Sequence, residues 1–420
     1  MSKAAMHHVG FTLILFSLLI LFGGCAGTPQ GMDYQNGPEN LTQELREHAI
    51  EPSSAAPVSA EIQWRILNWP QGKRAAVSLT FDDGTVDQYK VALPLMERHG
   101  VRATYFLITG ARTKRGQQGL WLDGKHSRRL FDWEAAAEIA SKGHEIGSHG
   151  VSHSDLRRLF WRDELNQVER ELRWSQKAIE RYIPHEYLPA GKLLSFSWPY
   201  WRSTPELRQM AEEYYLAARS GRGRQPLRTP RDPYSIHSVR VMTSDSTEKW
   251  RQALDTVRKT GGWALFSLHG IDNGRMQESE LGWQPISDEK FTRLMRMVKS
   301  DDLWAAPFGE VFRYSSEWNA ARLEIVRLSS GSVTLRLEDG LDDKVFDQAL
   351  TVELTLPEEV WSGFSGIAVE SSTGRMKSII KNMRRSGRSV TIWLELQPNG
   401  EPIVLRGLAS THDSIPQLYN

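Results

Sequence analysis

"AAVSLTFDDGTVDQYKVALPLMERHGVRATYFLI", Ala75–Ile108, decides the fold. Ala75 to Phe81 is short, apolar and β-branched or aromatic, which predicts a strand. Val86 to His99 turns Val91 and Leu95 to one side at helical spacing, with Gly100 as its stop. "VRATYFLI" then predicts a second strand. The same grammar recurs. Asp132 caps a helix toward Ser141, "HEIGS" returns as a strand, and Leu165, Val168, Leu172 and Ile179 form an apolar stripe between Asp163 and Tyr182. It continues through "WALFSLHG" and ends near "LWAAPFGEVFRY". Strands alternating with helices predict an α/β fold around a mostly parallel sheet.

Beyond Ser316 the period changes. "RLEIVRL", "SVTLRL", "TVELTL" and "SVTIWLEL" alternate apolar and polar side chains between turn residues, which predicts a small antiparallel β-sandwich-like domain over 317–420. Its basic segment from Arg375 to Arg388 reads as a solvated hairpin. No repeat of 20–50 residues is evident. The parse is a barrel-type domain over 63–316 followed by this β module.

The 420 residues carry 52 basic and 51 acidic side chains, so no net field favours nucleic acid as a partner. Lys3 and an apolar run from Val9 to Phe22 form an export signal over 1–25. The single cysteine, Cys25, follows Gly23-Gly24 and resembles the lipidated cysteine of bacterial lipoproteins, with Phe22 where that motif prefers leucine. With no other cysteine the chain has no internal disulfide. Residues 26–62 have the Pro, Gly, Ser and Ala content of a tether. The expectation is a chain anchored in a membrane through lipid. Ala26 after the cysteine suggests the outer membrane, facing the periplasm.

Asp82 and Asp83 stand side by side at the end of the first strand, on the face where barrel enzymes build their sites. A capping acid before a helix is the plain alternative. Downstream, "GHEIGSHGVSH" supplies His149 and His153, four residues apart after another strand, a spacing that places both imidazoles on one side of a helical turn. Two histidines and one carboxylate form a catalytic metal set that leaves a position for water.

"TFDDG" and "SHGVSH" resemble the first two motifs of carbohydrate esterase family 4, the polysaccharide deacetylases. The resemblance covers roughly Arg74 to Tyr314 and implies an incomplete, distorted (β/α) barrel. It implies that Asp83, His149 and His153 ligate a divalent metal, Zn²⁺ being the expectation, and that Asp82 is the general base toward water. His269 in "FSLHG" matches the family's leucine-histidine motif and would be the acid for the leaving group. His144 and Glu145, which lead into the second motif, read as structural.

Pro199 and Tyr200 in "FSWPYW" match half of the third motif, and the Tyr200 N–H would bind the oxyanion. Ser197 stands where the family has the arginine that orients the base. Arg219, Arg222, Arg224, Arg228 and Arg231 are the candidates to replace it. For the fourth motif the candidates are Asp245 with Trp250, or Trp263. Fifteen tryptophans suit sugar stacking. The implied function is hydrolytic deacetylation of an extracytoplasmic carbohydrate polymer, with an N-acetylglucosamine polymer favoured by the envelope location. The alternatives are an O-acetyl, xylan-type esterase and a non-catalytic glycan-binding lipoprotein.

Overall fold

The computed structural model describes residues 62–409 except 125, 222–227, 362–363 and 372–378. The expected signal, Cys25 and all of the tether but Ile62 lie outside these residues.

After β1 (Gln63–Ile66), β2 (Ala75–Asp83) is buried along its whole length. Its two hydroxyls are satisfied internally: Ser78 Oγ donates to the Ala306 carbonyl (2.8 Å) and Thr80 Oγ1 to that of Phe266 (2.9 Å). The helix expected over 86–99 is divided into a π-helical turn, Gln88–Ala92, and α1 (Leu93–His99). Pro94 gives the reason, because it brings no N–H to an α-helical ladder. Gly100 stops α1 in the left-handed conformation, at φ 59°.

β3 (Thr104–Leu107) is followed by a hairpin, β4 (Gly119–Asp123) and β5 (His126–Leu130). α2 (Trp133–Ser141) is capped by Asp132, which accepts from the Ala135 N–H (2.8 Å), and leads to β6 (Glu145–Ser148). α3 (Leu156–Trp161) and α4 (Leu165–Tyr182) are separated by Asp163 at φ 61°. The chain continues through β7 (Ser195–Ser197), α5 (Pro205–Glu212), β8 (Ala217–Arg219), β9 (Val239–Arg240) and α6 (Thr247–Thr260). Then come β10 (Trp263–Leu268), β11 (Ile271–Asp272), β12 (Ile286–Ser287), α7 (Asp288–Val298), β13 (Leu303–Ala305) and α8 (Phe308–Ala320).

The barrel sheet is parallel, in the order β8-β7-β6-β3-β2-β10-β9, with β13 against the start of β2. A bridge between Arg219 and Ile236 links edge strand β8 to the segment entering β9, so the sheet curls into the distorted barrel that the sequence implied. All strand ends that carry candidate residues therefore open on one rim.

The C-terminal strands are β14 (Arg322–Ser329), β15 (Ser332–Glu338), β16 (Leu350–Pro357), β17 (Phe364–Ser371), β18 (Ile380–Ser386), β19 (Ser389–Leu396) and β20 (Asn399–Ala409). They form two antiparallel four-stranded sheets, β1-β16-β19-β18 and β14-β15-β20-β17. β1 pairs with β16, Gln63 opposite Thr355, so residues 63–66 belong to this module and not to the barrel. The described part of the basic segment contains edge strand β18, which turns into β19 at Gly387. α8 packs on β2 and on β16, and one apolar cluster runs from Ala76, Trp263 and Leu265 through Phe308 and Phe312 to Val352 and Ile392.

Candidate active site

Successive strand residues normally face opposite ways. Here β2 ends with Asp83 at φ 73° and Gly84 at φ 80°, which turns the chain so that both carboxylates line one cavity. A left-handed aspartate costs about 1–3 kcal/mol, so the surroundings must hold it. The Asp83 carbonyl accepts from the Ile108 N–H (3.3 Å) and from Arg112 Nη2 (3.2 Å).

His149 and His153 converge from a loop, and not from the helical turn expected of their spacing. Gly150 lies at φ 81° and His153 at φ 62°. Glu171 on α4 fastens this loop: it accepts from the N–H groups of Val151 (2.8 Å) and Ser152 (2.9 Å) and from Ser152 Oγ (2.6 Å). A Cβ on Gly150 would sit 2.8 Å from the Glu171 carboxylate, so both the conformation and the close approach need glycine.

Both imidazole Nε2 atoms lie 3.7 Å from Asp83 Oδ1, and one potential ligand atom from each of the three residues falls within 4.8 Å of the others. His149 Nδ1 is 2.7 Å from the Ser197 carbonyl, which can only accept, so the proton resides on Nδ1 and the Nε2 lone pair faces Asp83. Burial pushes the pKa of both histidines below the ordinary value, well below for His153, and neutral imidazole is the ligating form. Two neutral imidazoles and one carboxylate fit a divalent ion such as Zn²⁺.

Asp82 is held by a side chain outside the "FSWPY" segment. Arg219 at the end of β8 places Nη2 2.6 Å from Asp82 Oδ1 and 2.5 Å from Oδ2, and both side chains are buried. The same nitrogen donates to Ser197 Oγ, while Nη1 donates to Ser238 Oγ (3.2 Å). Ser197 and Arg219 are register partners across β7 and β8. The guanidinium thus reaches the base from the neighbouring strand, over a serine short enough to let it pass. Burial alone would raise the Asp82 pKa, but the Arg219 guanidinium outweighs it and holds the carboxyl below its ordinary value. Of the other candidates, Arg222 and Arg224 lie outside the described residues, Arg228 bonds Asn68 and stacks on Trp318, and Arg231 is exposed.

His269 Nε2 lies 3.5 Å from Asp82 Oδ2. Burial lowers its pKa to about 4 against the pull of Asp82, so the ring is neutral at rest and not half-charged near neutrality. Gln88 in the π turn donates to the carbonyls of Asp82 (2.5 Å) and His269 (2.7 Å) and ties the two strand ends together. Asp87 accepts from the N–H groups of Ile271 (2.6 Å) and Gly282 (3.2 Å), which fixes the loop that carries Trp283.

The cavity, about 250 Å³, has these charged groups at its floor and Trp121, Trp198, Tyr200, Trp201 and Trp283 in its walls. Trp121 and Tyr200 pack on His153 at ring-centroid distances of 5.0 and 4.6 Å, and Trp283 packs on His269 at 5.3 Å. Pro199 is buried beside the cavity and does not line it. Asp245 accepts from Met242 N–H and Lys249, and Trp250 and Trp263 are core residues. None of these three lines the cavity: Trp250 lies on the buried face of α6, and Trp263 Nε1 donates to Ser78 Oγ (3.1 Å). His144 and Glu145 are structural: His144 Nδ1 accepts from the Ala103 N–H (3.1 Å), and Glu145 binds Thr104, Ser195 and the Gly309 N–H. Sequence reasoning missed Glu171, Asp87, Trp121, Trp201 and Trp283. A tryptophan content high for a near-neutral chain was the only signal for the last three.

A sequence model of the polysaccharide deacetylase family matches residues 70–218. A gellan lyase of a Bacillus species is 23% identical over 357 residues, 80% of this chain and 13% of its own. YxkH of Bacillus subtilis strain 168, named by inference a polysaccharide deacetylase, is 28% identical over 184 residues, 43% of this chain and 57% of its own. A chitin deacetylase of a Pestalotiopsis species is 32% identical over 80 residues, 19% of this chain and 22% of its own. The chain thus spans about half or less of the length of each relative. Among solved structures, the carbohydrate esterase 4 domain of a multidomain xylanase from the hindgut metagenome of Trinervitermes trinervoides is 17% identical with a TM-score of 0.37, covering 57% of this chain and 89% of its own. Over residues 70–218, the chain carries a domain of the polysaccharide deacetylase family.

Proposed function

We propose that this chain is a metal-dependent hydrolase that removes acetyl groups from an N-acetylglucosamine-containing polymer outside the cytoplasm. The observation that carries the reading is the meeting of Asp83, His149 and His153 with an arginine-held Asp82 and with His269 in one aromatic-walled cavity. Asp83, His149 and His153 would hold the ion, Zn²⁺ in this reading, which would supply Lewis acidity toward water and the acyl carbonyl.

The chain's own groups do the rest. Water adds to the acyl carbon and its proton passes to Asp82, which Arg219 keeps ionised and aimed. His269, neutral and within reach of Asp82, relays that proton to the leaving nitrogen as the C–N bond breaks, giving acetate and a free amine. By likeness to the family's Pro-Tyr motif, the Tyr200 N–H receives the oxyanion. The tryptophan walls offer stacking faces to a sugar ring and exclude bulk water. The name of the chitin deacetylase relative agrees with an amide substrate. Anchoring through Cys25 in an outer membrane is part of the same reading.

Acetate release tests it. Purified protein with Zn²⁺ is expected to release acetate from an N-acetylglucosamine oligomer faster than from acetylated xylan, and His269→Ala to suppress the first reaction more, because an alkoxide leaves without the proton an amine requires. A preference for xylan would make the chain an O-deacetylase. No release from either would refute the enzyme reading.

A further inference from the structure

The β1-β16-β19-β18 sheet carries an aromatic ring where its alternation calls for polar side chains. Val352, Leu354, Ile392 and Leu394 are buried in the apolar cluster, so Glu353, Thr355, Thr391, Trp393 and Glu395, which alternate with them, face the other way. Trp393 thus stands among hydroxyls and carboxylates. Register places it in a row with one residue from each strand: Arg65 lies opposite Glu353, Glu353 opposite Trp393, and Trp393 opposite Asn382. At about 4.8 Å between strands the row extends about 14 Å.

The row is held in place. Glu353 accepts from Arg65 Nε at Oε1 (2.6 Å) and from Trp393 Nε1 at Oε2 (3.0 Å). A register shift in β18 between Ile380 and Asn382 lets Lys381 and Asn382 both reach the same groove. That groove encloses about 820 Å³, within the roughly 300–1,000 Å³ that ligand sites take. Its opposite wall is the connection from β1 to β2, with Asn68, Gln71, Lys73 and Arg74. Gln71, left-handed at φ 55°, fastens this wall to the sheet, its N–H donating to Thr351 Oγ1 (2.9 Å).

These groups suit a sugar chain: an indole face takes the C–H face of a pyranose, and the amide, carboxylate and guanidinium beside it take hydroxyls. Charge narrows the class. The lining has Arg65, Lys73, Arg74 and Lys381 against the single acid Glu353. Arg65 pairs with Glu353 (2.6 Å) and Lys381 with Glu395 (2.9 Å). Lys73 Nζ donates only to the Asp301 carbonyl (2.6 Å), and Arg74 has no carboxylate partner among the described residues, so two positive charges stay uncompensated. Such a groove attracts carboxylates and repels the free amines of a deacetylated polymer.

We propose that this groove is a second carbohydrate site, for a carboxylate-bearing glycan, with the Trp393 ring as its platform. It adjoins the start of β2, whereas Asp82 and Asp83 close the other end of that strand, so about 26 Å separates it from the catalytic rim. The site therefore grips polymer away from the reacting sugar and keeps the enzyme on its matrix. The choice of a glycan rests on the polysaccharide deacetylase family match; the groove itself does not depend on deacetylation.

The test is calorimetric titration of the purified full-length chain, made inactive by Asp82→Asn, with oligogalacturonate as the probe. It is expected to bind more tightly than N-acetylglucosamine or glucosamine oligomers of equal length. Trp393→Ala should weaken binding about tenfold or more, and Trp393→Phe, which keeps a ring, should weaken it less. Lys73→Glu with Arg74→Glu should weaken it about tenfold and flatten its salt dependence. His149→Ala/His153→Ala should leave it unchanged, and in the otherwise wild-type chain Trp393→Ala should leave acetate release from a short oligomer unchanged. Absence of binding at millimolar probe, tighter binding of the neutral oligomer, or unaltered binding in the Trp393 and Lys73/Arg74 variants would overturn the proposal. Equally tight binding of single-stranded DNA would make the groove a general anion surface, and loss of binding in His149→Ala/His153→Ala would place the probe in the catalytic cavity; either result also overturns it. A chain that binds the probe as expected yet releases no acetate would refute the enzyme reading and leave this site standing.

Discussion

Replacing Arg219 with Met tests the most specific feature of the site. The Arg219–Asp82 pair is buried on both sides, and removing one member of such a pair costs about 3–5 kcal/mol because the other charge is left uncompensated. The carboxyl escapes this cost by taking up a proton, as buried acids do, and a protonated Asp82 is no base. The neighbouring His149 and His269 are neutral and give little compensation, whereas a bound divalent ion would give some, so the lower figure applies. At 1.36 kcal/mol per decade, about 3 kcal/mol is roughly a hundredfold loss of kcat/KM at neutral pH. The loss should shrink as pH rises and Asp82 ionises again, while bound metal stays at the wild-type level because Asp82 is not a ligand. The assay is acetate release across pH, with elemental analysis of the same samples. Because Ser197 faces Arg219 across the strand pair, the exchange Ser197→Arg with Arg219→Ser should recover at least tenfold over Arg219→Ser alone. Wild-type activity and an unshifted pH profile in Arg219→Met would refute the assignment.

His149→Ala or His153→Ala should lose bound metal and nearly all activity with the fold intact by circular dichroism; equal metal in mutant and wild type would contradict the ligand set. The adjacent acids should fail differently: Asp83→Asn weakens metal binding, whereas Asp82→Asn keeps the metal and loses about 10²–10⁴ in kcat, and a loss within tenfold would remove Asp82 from the base role. Glu171→Gln puts an amide N–H₂ against loop donors and should cost about 10–100-fold in metal affinity, measured by competition with a chelator; unchanged affinity would mean that the loop holds itself. Cys25→Ser should release the protein from membranes or block its maturation, and a wild-type protein found soluble with an unmodified Cys25 would dispose of the anchor.

Local signals carried much of this molecule. The Ala75–Phe81 run and the alternating C-terminal strands are set by side-chain period, which a sequence displays directly, and the paired acids and histidines sit at strand ends that the same period locates. Three things were not legible. The helix over 86–99 is present, but the π turn within it was not legible because Pro94 acts on the hydrogen-bond ladder and not on the apolar spacing, and that turn is what aims Gln88 at the strand ends. The loop path of His149–His153 depends on Glu171, a residue whose position on α4 looks like any other polar turn of an amphipathic helix. Arg219 could not be chosen from five arginines, because strand register is a tertiary fact: its distance from Ser197 is 22 residues in sequence and one strand in space.

The exchange of Arg219 for a motif arginine and the place of β1 have a common logic. In a curled parallel sheet, adjacent strands deliver side chains to the same rim, so a guanidinium can be lent by the next strand provided that the original position shrinks, as Ser197 does. A boundary drawn from composition fails for the same reason. The change of period near Ser316 marks where the chain begins to write antiparallel strands, but the module's edge is completed by Gln63–Ile66, and α8 buries one side on β2 and another on β16. Removing residues after 316 would strip β1 of its partner and expose the faces of Phe312 and Tyr314 that belong to the shared apolar cluster. The barrel and the module are thus one cooperative core in packing terms, even though their strands obey different rules in the sequence.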